Sequence, residues 1–246
     1  MRVILGFLLL FSFSGAYAQT MIGGKTAFAI SKHHFLAKEF QDKYAVKFLP
    51  GYNIGLSAEF GTKSKFSLIS ELTFASRGTR INEESAAYIK NRVRHSIIEA
   101  PILLKTTFSG NQVKPYITFG PIIQYRLKTT GKVKADELDE MFIDELSYNV
   151  TTPDKGRIFE DVLVEDINNL LIGLGIGLGA EFKMIDGQKY LVEFRYENGH
   201  TVISDSNELT TILATYDDSY RANIKSFSLS ITYFFDLKAL RKSFQK

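Results

Sequence analysis

The stretch LLIGLGIGLGAEF, from Leu170 to Phe182, alternates a bulky apolar residue with glycine four times over. Glycine inside a strand normally weakens it, because glycine costs backbone entropy and contributes no side chain to packing. A column of four glycines is therefore expected only where space is very tight. The interior of an eight-stranded barrel is just wide enough for side chains to fill. The pattern predicts that four glycines face such an interior: Gly173, Gly175, Gly177 and Gly179.

Alternation of apolar and polar residues recurs in eight places along the chain, and it is typical of strands with one apolar face. In KYLVEFRYEN, for example, Tyr190 and Phe194 share one face, whereas Glu193 and Arg195 share the other. The eight segments predicted as strands are residues 22–31, 51–60, 66–78, 97–108, 115–127, 170–182, 189–198 and 226–235. The sequence therefore predicts an all-β fold.

The connections between these strands alternate in length. Short connections span residues 61–65, 109–112 and 185–188, and long connections span residues 33–47, 81–94, 131–169 and 205–221. Short turns on one side and long loops on the other are typical of bacterial outer-membrane barrels. We predict an eight-stranded antiparallel up-and-down transmembrane β-barrel of the outer-membrane type. Ten strands are the alternative, if the third long loop folds back as a hairpin.

The direction in which the bulky face points distinguishes a membrane barrel from a soluble one. This face carries no charged residue, as lipid requires, since a lipid-facing charge at mid-bilayer costs on the order of 2 to 4 kcal/mol. We expect Leu174, Phe194 and Ile231 to point away from the barrel axis. The same face ends in aromatic residues beside the short turns, as the interfacial girdle of a membrane barrel does. These aromatic residues are Phe60, Phe66, Phe108, Phe182, Tyr190 and Phe235.

The polar face is rich in small residues and carries charges of both signs, which we expect inside the barrel. The core of this predicted lumen network is Glu71, Arg77, Glu99, Lys105, Arg126, Glu193, Arg195 and Glu197. Further inward charges are expected at Lys25, Glu59, Lys128, Glu181 and Lys183. Unpaired charges are costly in a poorly hydrated interior, so ion pairs should fill the lumen as a structural plug. The alternative is a narrow channel or a proton path.

An enzyme that modifies lipid is the third hypothesis. His33, His34, His95 and His200 lie near the predicted outer rim, but no nucleophile with a paired base follows from their spacing. The glycine run lacks the third glycine of a dinucleotide-binding loop, since Leu178 occupies that position. The acidic stretch of residues 136–145 lacks the ligand spacing of an EF-hand. We therefore expect no enzyme, no cofactor and no metal site.

The ends of the chain predict export. Residues 1–18 have the layout of a secretory signal peptide, with Arg2, a short apolar run and a cleavage site after Ala18. Residues 19–236 form the predicted barrel domain, and residues 237–246 form a basic C-terminal tail. The formal net charge is only +3 and no long basic block appears, so nucleic-acid binding is not indicated. We expect the protein in the cell outer membrane, in contact with outer-membrane lipid.

The third long loop carries two further patterns. In ADELDEMFIDEL, Leu138, Met141, Phe142 and Leu146 fall near one helical face behind a candidate N-cap at Asp136. In RIFEDVLVED, at residues 157–166, the alternation predicts a strand that continues above the membrane. The long loops and the basic tail are the expected contacts for other envelope or secretion proteins.

The order of five segments resembles the PorT-like outer-membrane β-barrel proteins of Bacteroidetes. These segments are residues 56–78 (LSAEFGTKSKFSLISELTFASRG), 97–105 (IIEAPILLK), 113–127 (VKPYITFGPIIQYRL), 190–199 (YLVEFRYENG) and 224–235 (IKSFSLSITYFF). The resemblance implies an outer-membrane location and an eight-stranded barrel, and it supplies no catalytic residues. Some members are associated with protein secretion or gliding. This chain departs from the pattern of ending on the last strand's aromatic residue, because DLKALRKSFQK follows Phe235.

Overall fold

Long antiparallel strands make up most of the computed structural model of the protein. It describes residues 20–36, 38–61, 64–83, 89–135, 144–152, 154, 161–164, 166–184, 188–204, 209–210 and 221–236. The predicted signal peptide, the basic tail and most of the predicted loop helix lie outside these residues.

Eight long strands form the wall of the molecule, and each contains one of the eight alternating segments. They are β1 (Thr20–Phe35), β2 (Ala45–Phe60), β3 (Phe66–Glu83), β4 (Ile89–Thr107), β5 (Val113–Ala135), β8 (Leu170–Lys183), β9 (Lys189–Gly199) and β11 (Ala222–Asp236). The shorter elements are α1 (Lys38–Lys43), β6 (Leu146–Thr151), β7 (Asp161–Val164) and β10 (Leu209–Thr210). Among the described residues no helix is long and apolar enough to cross a membrane.

The eight long strands close into a ring in which every neighbouring pair is antiparallel. Each strand pairs with the next long strand in the sequence, and β5 pairs directly with β8. The first and last strands close the ring, where Gly24 lies opposite Tyr233 and Phe28 opposite Leu229. The predicted eight-stranded up-and-down barrel is confirmed.

The bulky face points outward, as predicted. Leu174, Phe194 and Ile231 expose 38%, 50% and 52% of their surface, although each is flanked by buried or half-buried residues of the polar face. The aromatic residues beside the short turns are also exposed or half-exposed on this outer wall. A wall this apolar is stable only when lipid covers it.

The glycine column lines the inside of β8, which answers why these positions carry no side chain. A Cβ added to Gly175 would lie 2.8 Å from Cδ1 of Ile122, and one added to Gly177 would lie 2.8 Å from Cδ of Glu193. A Cβ added to Gly173 would lie 2.8 Å from the carbonyl oxygen of Asn198. Side chains and backbone of the two neighbouring strands, β5 and β9, thus occupy the space that the glycines leave.

Three ring strands are much longer than a membrane requires. A transmembrane β-strand needs about 9 to 11 residues, whereas β3, β4 and β5 contain 18, 19 and 23 residues. The prediction of loops from residues 33–47, 81–94 and 131–169 was therefore partly wrong. Residues 33–35, 45–47, 81–83, 89–94 and 131–135 continue the ring strands beyond the apolar band, because backbone pairing does not depend on a lipid-facing side chain.

The additional strands extend the sheet outside the ring. β6 pairs with the far end of β5, β7 pairs in parallel with β6, and β10 pairs with β7. The ten-strand alternative is wrong, since these strands leave the ring at eight members. The strand predicted within residues 157–166 is present at Asp161–Val164.

Candidate functional site

The lumen is the candidate site, and the structure places all eight residues of the predicted network on its inner wall. Each exposes between 0% and 6% of its surface. They come from β3, β4, β5 and β9, whose inward positions meet across the narrow barrel. Seven of the eight form tiers of ion pairs with four further buried charges, described below from the short-turn end to the long-loop end, and Arg126 donates to Thr129 and Asn169 above these tiers.

The basal tier lies next to the short turns. Lys105 Nζ lies 3.1 Å from Glu59 Oε1 and 2.5 Å from Glu181 Oε2. Lys189 Nζ lies 2.7 Å from Glu59 Oε2 and 3.1 Å from Glu181 Oε2. Ser67 donates a further hydrogen bond to Glu59 at 2.8 Å. Two cations and two carboxylates therefore form a closed square.

The middle tier is built around Glu71. Arg195 donates two parallel hydrogen bonds of 2.9 Å to the carboxylate of Glu71, and Lys25 Nζ lies 2.7 and 2.8 Å from the same two oxygens. Arg195 Nε also donates to Glu193 at 2.7 Å, and Thr118 donates to Glu193 at 2.9 Å. This paired geometry is the strong form of a buried ion pair.

The upper tier is built around Arg77, the largest fully buried side chain of the described residues. Its Nη2 donates to Glu99 and to Glu197 at 2.9 Å each, and its Nη1 donates to Asn53. The two carboxylates have further polar partners. Gln124 donates to Glu99 at 2.9 Å, and Ser226 donates to Glu197 at 2.7 Å.

The buried charges balance across the lumen. Within the described ranges the buried cations are Lys25, Arg77, Lys105, Arg126, Lys189 and Arg195, and the buried carboxylates are Glu59, Glu71, Glu99, Glu181, Glu193 and Glu197. Six charges of each sign thus face one another in an interior too crowded for bulk water. Because each charge has a partner of opposite sign or polar hydrogen-bonding partners, burial is tolerated.

Two histidines lie above the upper tier. His33 and His95 join through their Nε2 atoms at 2.8 Å, so one ring donates and the other accepts. His95 Nδ1 lies 2.7 Å from the hydroxyl of Thr129, which also accepts a hydrogen bond from Arg126. The expectation that His33 and His95 lie near the rim was incomplete, because both side chains are buried inside the barrel. His34 and His200 are the more exposed pair.

Apolar clusters close the long-loop end of the lumen. The first cluster joins inward residues of the ring, such as Val93, Ile97 and Leu171, to Val150 of β6 and Val164 of β7. In the same cluster Tyr148 donates to Asn91 at 2.8 Å. A second cluster packs α1 against the ring and comprises Phe35, Phe40, Tyr44, Ile81 and Ala222. The strands outside the ring thus act as a cap over the lumen.

Two sequence predictions about inward charges were wrong, and one inward charge was missed. Lys128 is exposed, because a β-bulge where β5 pairs with Ser96 and Ile97 of β4 interrupts the alternation just before it. Lys183 is also exposed, because β8 ends there. Lys189 is buried in the basal tier instead, and its position one residue before Tyr190 in the alternation was the available signal.

The closed ring, its apolar outer wall and its paired lumen define a transmembrane β-barrel protein. The model of the family described as outer membrane protein beta-barrel domain matches residues 17–205, so the chain belongs to this family of outer-membrane proteins. A comparison with curated protein sequences gave no match.

Solved barrels of low sequence identity also align with the chain. The Neisserial surface protein A is 12% identical with a TM-score of 0.37, and the alignment covers 87% of this chain and 97% of that one. Ail of Yersinia pestis is 14% identical with a TM-score of 0.38, covering 88% and 99%. OprG of Pseudomonas aeruginosa is 12% identical with a TM-score of 0.40, covering 89% and 96%. At such low sequence identities and TM-scores, these similarities carry no argument, and the assignment of the barrel rests on the hydrogen bonding between its own strands.

Proposed function

We propose that the protein is a non-conducting outer-membrane barrel, which serves as a rigid support for the strands and loops that extend above the membrane. The observation that carries this proposal is the filling of the lumen by three tiers of ion pairs beneath an apolar cap. An open pore has a continuous polar, hydrated wall. Here Arg77, Arg195 and Lys105 each form an ion pair across the interior with a carboxylate on a strand that is not a neighbour in the ring. The role is structural and binding rather than enzymatic.

The proposed binding surface is the part of the sheet that rises beyond the ring. β5 continues well past the apolar band and carries β6, which in turn carries β7 and β10. This end bears the long connections, and in outer-membrane barrels these face the cell exterior. Its partners in this proposal are other envelope or secretion proteins, in line with the resemblance to PorT-like proteins of Bacteroidetes. Export by a cleaved signal peptide at residues 1–18, and a periplasmic contact through the basic tail at residues 237–246, belong to the same proposal.

Electrical recording tests the plug. The refolded protein, reconstituted into a planar bilayer in 1 M KCl, is expected to show no steady single-channel conductance, because Arg77 and Arg195 occupy the lumen between paired carboxylates. A porin reconstituted in the same way controls for incorporation, and heat-dependent gel mobility controls for folding. Discrete and reproducible conductance steps from the folded protein would overturn the plugged lumen and favour a narrow channel.

Site-specific photo-crosslinking in intact cells tests the binding role. A photoreactive residue at Asp144 or His200, both exposed at the long-loop end, is expected to give a discrete adduct with another envelope protein. The matched control is Leu56, which is 62% exposed on the lipid-facing wall and is expected to give no protein adduct. Equal absence of adducts at all three positions would contradict a protein partner at this end.

A further inference from the structure

The outer wall changes from apolar to positively charged where β2 to β5 extend beyond the apolar band. The cross-strand register places Lys47 of β2 opposite Arg80 of β3, Arg80 opposite Arg92 of β4, and Arg92 opposite Lys132 of β5. All four lie on the outward face, and Lys47, Arg92 and Lys132 are exposed. Four cations thus form a single row across four adjacent strands. We call Lys47, Arg80, Arg92 and Lys132 the basic row.

Three further cations flank the basic row on the same wall. Arg94 lies four residues before Ile98, the first exposed apolar residue of β4, and Lys128 and Lys134 lie on either side of Lys132 on β5. Directly opposed like charges in a sheet are destabilising. A surface that only has to be soluble intersperses both signs. Seven cations on one sector of the wall are therefore a feature that folding and solubility do not require.

Among the described residues, little negative charge from the chain offsets this sector. In the part of the chain that the structure describes, one of these seven cations forms an ion pair: Lys132 Nζ lies 2.6 Å from Glu145 Oε1. The hydrogen bond from Lys132 lowers the pKa of the Glu145 carboxyl, and the charges of Lys134 and Arg92 act in the same direction. Glu145 thus remains ionised and, within the described residues, pairs with one of the seven cations.

A cavity of about 450 Å³ lies on this wall beside the basic row. Arg92, Arg94 and Lys132 line it together with the polar groups of Thr130, Ser147 and Asn149. Guanidinium groups bind phosphate through paired hydrogen bonds, and an ammonium adds a point charge. The hydroxyl and amide groups supply further donors. The cavity therefore has the chemistry of a phosphate site.

The position of the cavity indicates where the phosphate comes from. Directly below it on the same outward face lie Ile98 of β4, with Tyr125 and Leu127 of β5, all between 38% and 51% exposed on the lipid-facing wall. A lipid whose acyl chains lie against these residues brings its headgroup to the level of Arg92 and Lys132. These exposed apolar residues would contribute nothing to the binding of a soluble anion.

We propose that the basic row and its cavity bind the phosphorylated headgroup of an outer-leaflet lipid. Bound lipid neutralises the like charges of the row and anchors β2 to β5 at a fixed depth. This inference rests on the assignment of the long-loop end to the cell exterior, and it is independent of whether the lumen conducts.

Native mass spectrometry of the folded protein in zwitterionic detergent tests the site. The probes are bisphosphorylated lipid A, the same lipid with its phosphates removed, and inorganic phosphate. The variant Arg80→Gln/Arg92→Gln/Lys132→Gln is expected to retain bisphosphorylated lipid A on the order of 100-fold more weakly, since each cation near a lipid surface contributes about fivefold. The matched control Lys65→Gln/Lys114→Gln/Lys183→Gln removes three cations at the short-turn end and is expected to bind as the wild type does.

The outcomes are distinct. Equal binding by the triple variant and the wild type, or equal binding of the dephosphorylated lipid, would overturn the site. Inorganic phosphate that binds as tightly as the lipid would overturn the lipid assignment and indicate a soluble anion. If the triple variant does not fold, the salt dependence of the wild type provides the test. Its retention of lipid A must decrease as the salt concentration rises from about 50 to about 500 mM if contacts with phosphate dominate the binding. Salt-independent retention would overturn the proposal.

Discussion

Replacing Arg195 by methionine is expected to lower the free energy of unfolding by about 3 to 5 kcal/mol, the cost of leaving a buried charge without its partner. Arg195 donates both hydrogen bonds of a paired contact to Glu71 and a third to Glu193. Without it, Glu71 retains Lys25 as its cation in the middle tier, and among the described residues Glu193 retains the hydroxyl of Thr118 as its one side-chain donor. Two carboxylates then share one cation where water has little access.

A second substitution distinguishes charge imbalance from lost packing. Glu193→Gln combined with Arg195→Met restores the balance of the tier, so the double variant is expected to recover part of the lost stability. Lys183→Met removes an exposed cation at the end of β8 and is expected to change stability by less than about 0.5 kcal/mol. Guanidinium titration in detergent, followed by tyrosine fluorescence and gel mobility, measures all three. An Arg195→Met variant as stable as the wild type would show that the lumen is hydrated enough to solvate unpaired carboxylates.

Replacing Gly177 by valine is expected to destabilise the barrel by about 3 to 6 kcal/mol, or to prevent folding. A Cβ at this position lies 2.8 Å from Cδ of Glu193 and closer still to Oγ1 of Thr118. Overpacking alone costs about 1 to 3 kcal/mol. Because Glu193 must move away from Arg195 and Thr118, the loss of charged hydrogen bonds adds roughly 1.5 to 3 kcal/mol.

Gly24 provides the matched control for this prediction. It also lies in a ring strand, but on the outward face, and a Cβ there has no atom within 4 Å. Gly24→Val is therefore expected to leave stability unchanged or slightly raised, since valine favours strands over glycine. The same denaturant titration compares the two variants. Equal effects at both positions would mean that strand propensity, and not crowding of the lumen, determines the cost.

The alternation of residue types was enough to predict the barrel. A strand places successive side chains on opposite faces. An alternating sequence with one apolar face per strand therefore predicts which residues face lipid. Leu174 and Phe194 therefore lie where the alternation put them. The same rule placed Glu71 and Arg195 inside, because eight strands leave room for a packed interior only.

The rule failed where the backbone departs from regular pairing. The bulge in β5 places Lys128 on the outer wall, and no residue type in the segment KTTG, residues 128–131, predicts this bulge. Except for the strand predicted within residues 157–166, the strand segments above the membrane were predicted as loops, since their outward residues, such as Arg92 and Lys132, lack the apolar signal used to recognise the strands below. The partners of each buried charge were likewise inaccessible, because Arg77 and Glu197 are 120 positions apart in the chain.

By itself, the sequence of this protein determined that it forms an antiparallel barrel, which residues face lipid, and that the interior is crowded and charged, whereas the ring of eight instead of ten strands was decided by the structure. These properties depend on local periodicity, which every strand carries within its own ten or so residues. Only the tertiary structure decided which cation meets which carboxylate, how β6 and β7 cover the lumen, and that Lys47, Arg80, Arg92 and Lys132 lie in one row. These properties depend on the register between strands, and register arises from the closure of the whole ring.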